Sequence, residues 1–280
     1  MPRRPLGSTG AYVGAVGLGC SSFSLVGRPG EKESIRAIRA ALDEGITLFD
    51  TADVYCLDVT DMGHNERLLA KALRGRSDAI VTTKGGYTLP GWKPNGDPSY
   101  LKRACENSLR ALGAESIFLY QLHLPDPAVP FAESIGALAD LQREGKIVHI
   151  GISNVSVEQL EEARTIVNVV SVQNQMSVFE RSSWDVLKRC ESLGIAFMPW
   201  RPLTGIGKAG GLNFHPVLSS VAAELDATPQ QIAIAWLLHQ SPVVIPIPGS
   251  GKRDHIVNNA RAAAVRLRPE HLTAIEAAST

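Results

Sequence analysis

Four residues whose side chains can together manage a proton occur in order along the chain: Asp50, Tyr55, Lys84 and His123. A phenol titrates near pH ~10 and is a poor acid at neutrality, but a nearby ammonium favours the phenolate and lowers that pKa. A carboxylate beside the ammonium keeps the lysine charged and fixed, and an imidazole can hydrogen-bond an incoming carbonyl oxygen. The set therefore predicts protonation of an oxygen that gains negative charge, as when hydride reduces a carbonyl group.

Three of these residues end short apolar runs of the kind that form buried strands. Asp50, Lys84 and His123 each close such a run, and Tyr55 follows in the loop after Asp50. The mostly apolar composition of the runs indicates strands that are buried on both faces, as in parallel sheets. The runs are residues 15–20, 47–50, 79–84, 117–123, 147–153, 169–174, 195–200 and 243–248.

Amphipathic segments with helical spacing lie between the runs. Several begin with proline in the first turn or with Ser, Thr or Asp just before it, and several end at a glycine: Gly45, Gly113, Gly145 and Gly194. Both features are typical of helix ends. The predicted helices are residues 31–44, 65–73, 98–112, 130–143, 157–167, 184–193, 229–239 and 253–264.

Eight strands, each followed by a helix, predict an α/β chain folded as a (β/α)8 TIM barrel, preceded by a β-hairpin around residues 4–13 and forming one domain over residues 1–280. The alternative is an open doubly wound sheet, which would normally carry G-x-G-x-x-G after a strand. Residues 14–19 lack that order and begin a strand. In a barrel the carboxyl ends of the strands converge on one mouth, so residues 85–96 and 205–211 are predicted to be functional loops.

Composition limits the partners of the protein. The 280 residues include 28 Lys+Arg and 28 Asp+Glu, so the formal net charge of +0 disfavours binding to nucleic acid or to an anionic membrane. No apolar stretch is long enough for a bilayer, and the N-terminus does not resemble a signal peptide. The four scattered cysteines indicate neither disulfides nor a metal site. We therefore expect a cytoplasmic protein, a monomer or small homo-oligomer, with a small-molecule partner.

Seven segments resemble signature segments of the aldo-keto reductase superfamily, and they occur in the right order over nearly the whole chain. They are residues 49–55 (FDTADVY), 81–84 (VTTK), 119–123 (LYQLH), 151–154 (GISN), 172–174 (VQN), 197–203 (FMPWRPL) and 247–250 (IPGS). The resemblance implies reduction of an aldehyde or ketone by NADPH, with NAD as a possible cofactor. It also implies that Asp50, Tyr55, Lys84 and His123 form a catalytic tetrad in which Tyr55 is the general acid.

The resemblance further implies which residues hold the cofactor. Ser153, Asn154 and Gln173 match residues that bind the nicotinamide carboxamide, and Trp200 matches an aromatic ring against the nicotinamide face. Residues 203–211 match the loop near the pyrophosphate, and the stretch after the last strand matches the adenosine end. The remaining residues expected at the cofactor are Arg201, Leu203, Gly205, Gly249, Ser250, Lys252, Arg253, His255 and Asn259.

Two departures from the family pattern stand out. Cys56 follows Tyr55 where members often have glycine, so residues 57–62 are hard to align. His255 stands where many members have an arginine for the 2′-phosphate of NADPH. Lys252 and Arg253 are expected to compensate, and a preference for NADPH follows.

Two other functions are compatible with parts of the pattern. One is a regulatory or scaffold subunit that holds the cofactor and acts through protein partners; the complete tetrad favours catalysis instead. The other is a barrel lyase or isomerase in which Lys84 forms a Schiff base, with no need for nicotinamide. Asp50 argues against this alternative, because a lysine kept charged by a carboxylate is a poor nucleophile.

Overall fold

The computed structural model describes residues 1–205 and 208–278. The chain starts with an antiparallel hairpin of β1 (Arg3–Pro5) and β2 (Tyr12–Gly14), which confirms the predicted hairpin. Leu6 and Val13 from this hairpin belong to the same buried cluster as Leu48, Leu119 and Met198, which come from three different parts of the sheet region. The hairpin therefore covers one end of the sheet and contributes to the apolar core.

A curled sheet of seven parallel strands forms the centre of the molecule, in the spatial order β11-β10-β9-β8-β5-β4-β3. Two more short strands, β6 and β7, pair with each other in a separate hairpin. In chain order the strands are β3 (Leu18–Gly19), β4 (Leu48–Asp50), β5 (Ile80–Gly85), β6 (Tyr87–Thr88), β7 (Lys93–Pro94), β8 (Ile117–Leu122), β9 (Ile147–Ser153), β10 (Val169–Gln173) and β11 (Ala196–Phe197).

Residues 243–249 close the sheet into a barrel. On one side the main-chain N–H groups of Gly17 and Gly19 donate to Pro246 O and Pro248 O at 2.9 and 3.3 Å. On the other side Phe197 N donates to Val243 O, and Ile245 N donates to Phe197 O, at 2.9 and 2.8 Å. The predicted eighth strand pairs on both sides but is not a regular strand, because proline has no N–H to donate. The barrel is confirmed and the open sheet is wrong.

Helices surround the sheet, and two of them were not predicted. Both, α7 and α10, start at a proline that follows a residue outside the Ser, Thr and Asp group: α7 is capped by the ring of His215, and Arg268 precedes α10. The helices are α1 (Glu31–Asp43), α2 (His64–Ala72), α3 (Pro98–Leu112), α4 (Phe131–Arg143), α5 (Val157–Ile166), α6 (Trp184–Leu193), α7 (Pro216–Glu224), α8 (Pro229–Gln240), α9 (Arg253–Arg261) and α10 (Pro269–Ala277).

The helix ends follow the expected chemistry. Asp97, Ser156 and Thr228 each accept a main-chain hydrogen bond at the start of α3, α5 and α8. Gly113 and Gly194 end α3 and α6 in the left-handed conformation, with φ of 64° and 67°. Across residues 1–205 and 208–278, no helix combines the length and apolar character needed to cross a membrane.

Two loops were predicted to carry function. Residues 85–96 are more ordered than expected, because β6 and β7 form a hairpin within them. In the second loop, residues 206 and 207 lie outside the described residues, and a 3-10 helix (Ala209–Phe214) begins soon after them.

Arg4 ties the hairpin to the far side of the barrel, because its guanidinium donates to the main-chain oxygens of Leu238, Ser241 and Val244, each at 2.6 Å. Arg4→Met removes these donors from all three carbonyls, of which Ser241 O still accepts from Val244 N. We expect the free energy of unfolding, measured with urea, to fall by about 2–4 kcal/mol. Arg3→Met, on the exposed side of the same strand, is the control and should stay within about 0.5 kcal/mol. Equal stabilities of the two variants would contradict this anchoring role.

Candidate active site

A buried ion pair lies at the carboxyl ends of β4 and β5. Lys84 Nζ donates to Asp50 Oδ2 at 2.7 Å, to Asp50 Oδ1 at 2.9 Å and to Thr51 O at 2.8 Å. Lys84 is 0% exposed and Asp50 is 2% exposed. A buried charge is tolerated when it is paired and fully hydrogen-bonded. The adjacent parallel strands place the two residues together, as the sequence predicted.

Asp50 also accepts hydrogen bonds from uncharged neighbours. Thr82 Oγ1 donates to Asp50 Oδ1 at 3.1 Å, Gln173 Nε2 at 2.8 Å and Gln121 Nε2 at 3.4 Å. Sequence reasoning missed Thr82 and Gln121. The signal was available, since Thr82 lies two residues before Lys84 on β5, and Gln121 lies two residues before His123, which directly follows β8. Residues two apart on a strand face the same side of the sheet.

Tyr55 lies beside this pair in the loop after β4. Lys84 Nζ is 5.4 Å from the centroid of the Tyr55 ring. The pKa of Tyr55 is raised well above its usual value, first because the ring is desolvated and then because Asp50 is negative. The expected net lowering of this pKa is wrong, because burial and the charge of Asp50 dominate and the ammonium of Lys84 is directed to Asp50 and Thr51.

His123 follows β8 and faces Tyr55, with 5.9 Å between the ring centroids and an interplanar angle of 82°. Its pKa is lowered well below the usual value, first by burial and then by the charge of Lys84. The imidazole is therefore neutral at pH 7. Its Nδ1 is buried and has no partner among the described residues. A neutral ring carries one N–H, which can donate to an oxygen without adding charge.

Two more aromatic residues, Tyr87 and Trp92, lie beside Tyr55 and His123. Tyr87 lies 4.5 Å from His123, centroid to centroid, and 5.8 Å from Trp92. Trp92 in turn lies 6.4 Å from Tyr55. Both come from the hairpin of β6 and β7 and its turn. The proton-handling groups therefore face a space with aromatic walls.

Asn154 connects His123 to the residues predicted to bind nicotinamide. Its Nδ2 donates to His123 O and to Ser153 Oγ, both at 3.0 Å, and its Oδ1 accepts from Trp200 Nε1 at 3.1 Å. Ser153 Oγ donates to Gln173 O at 2.6 Å. These hydrogen bonds bring together the four residues predicted to bind nicotinamide, which are Ser153, Asn154, Gln173 and Trp200. The amide nitrogen of Gln173 donates one of its two hydrogens to Asp50, so its oxygen and its second N–H are left to meet a ligand.

Trp200 and the loop after it are partly accessible. The Arg201 guanidinium lies 5.0 Å from the centre of the Trp200 ring, so it covers one face. Leu203 is buried, and Gly205 has a φ of 115°, a conformation that favours glycine. The predicted pyrophosphate loop includes residues 206 and 207, which lie outside the described part of the chain.

The residues predicted for the adenosine end surround the start of α9, at the same end of the barrel as Asp50. Gly249 forms a β-bridge with Gly19. The N–H of Cys20, the residue after Gly19, donates to Asp50 O at 2.9 Å. Ser250 Oγ accepts from Lys252 N at 3.1 Å. Lys252, Arg253 and His255 are exposed, whereas Asn259 is buried.

This donor set fits a phosphate group. No side chain caps the first turn of α9, and Lys252 and Arg253 stand at that turn. Asp254 stands in the same turn and pairs with Arg253 at 3.5 Å, so Lys252, the main-chain N–H groups and the positive end of the helix dipole are the groups that favour an anion. The roles of these residues, and of those near Asn154, stay predictions.

The geometry disfavours the Schiff-base alternative. An amine that attacks a carbonyl must lose its proton and reach the substrate. Lys84 is fully buried, and its ammonium already donates to two oxygens of Asp50 and to Thr51 O.

Similar proteins point to one family. The model of the aldo/keto reductase family matches residues 15–280. An oxidoreductase of Schizosaccharomyces pombe is 40% identical over 86% of this chain and 78% of its own length. A Glycine max protein, named as an aldo-keto reductase, is 34% identical over 96% of this chain and 86% of its own length.

A solved structure agrees in fold. The aldo/keto reductase of Klebsiella pneumoniae, crystallised with NADP and acetate, superposes with a TM-score of 0.84 at 27% identity, over 99% of this chain and 95% of that one. The match of the family model covers all the strands of the parallel sheet and each residue of the tetrad. The chain therefore belongs to the aldo/keto reductase family of oxidoreductases.

Proposed function

We propose that this oxidoreductase reduces an aldehyde or ketone to an alcohol with NADPH and that Tyr55 donates the proton. The observation that carries the proposal is the buried Asp50–Lys84 pair beside a phenol and a neutral imidazole. When bound, NADPH supplies the hydride. The residues of the chain then have to hold the carbonyl oxygen and give it a proton.

The electrostatics suit a donor that keeps its proton until the oxygen needs it. Because the pKa of Tyr55 is raised, the phenol stays protonated at neutral pH. A carbonyl oxygen that gains negative charge becomes a stronger base than a phenolate and can take this proton. Lys84, held charged by Asp50, then stabilises the phenolate that remains. Neutral His123 donates a hydrogen bond to the same oxygen.

The cofactor residues are carried by the same barrel, which we propose to be a single domain over residues 1–280. Ser153, Asn154 and Gln173 would hold the carboxamide, and Trp200 would lie against the nicotinamide ring. Lys252 and Arg253 would bind the 2′-phosphate at the start of α9. The NADP complex of the Klebsiella pneumoniae relative supports this choice of cofactor.

Tyr55→Phe removes the proton and keeps the ring. We expect kcat for aldehyde reduction to fall by about 10²–10⁴-fold, because general acid catalysis contributes about that much, while the Kd for NADPH stays within about twofold. Stopped-flow turnover and a binding titration measure the two quantities. Tyr12→Phe, on the N-terminal hairpin, is the matched control and should behave as the wild type. Normal turnover in Tyr55→Phe would remove Tyr55 from the mechanism.

The pH dependence follows from the two pKa shifts. Tyr55 donates only below its pKa, which is raised, and His123 is neutral above its pKa, which is lowered. Since the ordinary values are about 10 and about 6.5, kcat for reduction should be flat from about pH 6.5 to about pH 9. Alcohol oxidation needs the phenolate and should rise throughout this range. A fall in the reduction rate with a midpoint below about pH 9 would argue against the raised pKa.

Tryptophan quenching by NADPH and by NADH tests the cofactor and its phosphate site. We expect saturable quenching with a Kd about tenfold or more lower for NADPH, because one charge-assisted contact contributes about 1.5–3 kcal/mol. Lys252→Met should weaken NADPH binding and leave NADH binding unchanged. Lys32→Met, an exposed lysine on α1, is the control. Equal affinities for both cofactors would reject the phosphate site, and binding of neither would reject the cofactor.

A further inference from the structure

Three buried titratable groups outside the tetrad have unpaired polar atoms. Asp53 is 3% exposed, and neither carboxyl oxygen has a partner among the described residues; Glu66 is 0% exposed, and only its Oε1 is paired, with Thr83 Oγ1 at 2.6 Å. The hydroxyl of Tyr120 is also buried and unpaired. We call Asp53, Glu66 and Tyr120 the acid cluster.

The acid cluster lies on the outer side of the sheet, directly behind the catalytic pair. Lys84 points into the barrel toward Asp50, so its strand neighbours Thr83 and Gly85 point outward to the helix layer. Thr83 bonds Glu66 of α2, and a Cβ on Gly85 would clash with the hydroxyl of Tyr120. The cluster therefore fills the space between β5, β8 and the helices packed on them.

Among residues 1–205 and 208–278, no positive charge is free to balance two carboxylates here. Lys84 is bonded to Asp50, and Arg67 of α2 is half exposed and pairs with Asp61. Burial raises the pKa of both Asp53 and Glu66, and for Asp53 the charge of Glu66 adds to this effect. The other titratable or charged groups that interact with the cluster are Tyr55, Cys56, Arg67, Lys84, Tyr100 and Cys105. Protonated carboxyl groups avoid the cost of unpaired buried charge and supply donors for the unpaired oxygens.

Asp53 also lies in the segment that positions Tyr55. Its main-chain N donates to Lys84 O at 3.2 Å, its O accepts from Gly63 N at 2.8 Å, and Tyr55 N donates to Ala52 O at 3.2 Å. The position of the phenol therefore depends on the backbone of this segment, in which Asp53 is a buried residue two positions before Tyr55.

We propose that Asp53 is a positioning residue for Tyr55 and that it acts as a neutral carboxylic acid within the acid cluster. An effect of Asp53 on turnover rests on the proposed function, in which Tyr55 is the proton donor. The protonation of Asp53 and its effect on the position of Tyr55 do not rest on that function, so they are tested separately.

The first test asks whether the carboxyl is neutral. Infrared spectra of the wild type and of Asp53→Asn are compared at pH 8, where ordinary carboxyls, with pKa values near 4, are ionised. We expect the C=O absorption of protonated carboxylic acids in the wild type and the loss of the Asp53 component of this absorption in Asp53→Asn. Asparagine keeps the size and a donor, so the variant should fold. A wild-type spectrum without a protonated band would overturn the proposal.

The second test asks whether Asp53 positions Tyr55, without relying on catalysis. The protein has five tyrosines, so labelling with 3-fluorotyrosine gives five fluorine resonances, and Tyr55→Phe identifies the one from Tyr55. We expect this resonance to shift and broaden in Asp53→Ala and in Asp53→Ser but to keep its position in Asp53→Asn. Asp58→Ala, on the exposed part of the same loop, is the control. An unchanged resonance in both the Ala and Ser variants would overturn the positioning role.

The third test measures whether the position of Tyr55 affects the rate of aldehyde reduction. With NADPH and 4-nitrobenzaldehyde as probe, kcat of Asp53→Ala should fall by about 10–100-fold, as expected when a catalytic group is displaced by about 1 Å, while the Kd for NADPH stays within about twofold. Asp53→Asn should retain kcat within about threefold. Loss of kcat in Asp53→Asn equal to that in Asp53→Ala would show that a negative charge is needed and would overturn the proposal. If Tyr55→Phe turns over as the wild type does, the proposed function fails, and the fluorine and infrared results still decide the role of Asp53.

Discussion

A lysine stays charged inside a protein only if its surroundings replace the water it has lost, and the Lys84–Asp50 pair meets this condition. Both oxygens of Asp50 and the carbonyl of Thr51 accept from the ammonium, while Thr82 and Gln173 hold the carboxylate. The pair can form only because β4 and β5 are parallel neighbours, so that the carboxyl ends that carry Asp50 and Lys84 lie at the same edge of the sheet. Tyr55 and His123 are then placed by the loop and the strand that adjoin the pair. The rest of the site depends on this one buried interaction.

The sequence was informative where side-chain type and strand position coincide. Asp50, Lys84 and His123 could be placed because each ends an apolar run, and parallel strands bring such ends together. The eighth strand was predicted, but its irregular form follows from prolines at 246 and 248. Helix α7 was missed because its cap is a histidine ring, which pattern rules for caps do not include. Local rules thus recover elements and edges, but not the exceptions that tertiary contacts make possible.

The electrostatics could not be predicted in the same way, because they depend on where an ammonium points. From residue types alone, a lysine near a tyrosine lowers the pKa of the phenol; in the fold, burial and Asp50 raise it. The outward-facing neighbours of Lys84 show the same limit. Nothing in the sequence marks Glu66 and Tyr120 as neighbours of Asp53, because Glu66 comes from α2 and Tyr120 from β8, and these elements come together only on folding. Asn154 is similar, because its link from His123 O to Trp200 depends on a φ of 58°.

Closure of the barrel by residues 243–249 has a consequence for how the protein is made. The strands β3 and β4 are near the N-terminus, yet β3 finds its second neighbour only in Pro246 and Pro248, about 230 residues later. Contacts of such sequence separation form late and slow folding. While the chain emerges from the ribosome, the edge of β3 has to wait unpaired, and unpaired edges invite association with other chains. Only two residues of β3, Leu18 and Gly19, are in regular pairing, so the edge that stays unpaired during synthesis is short.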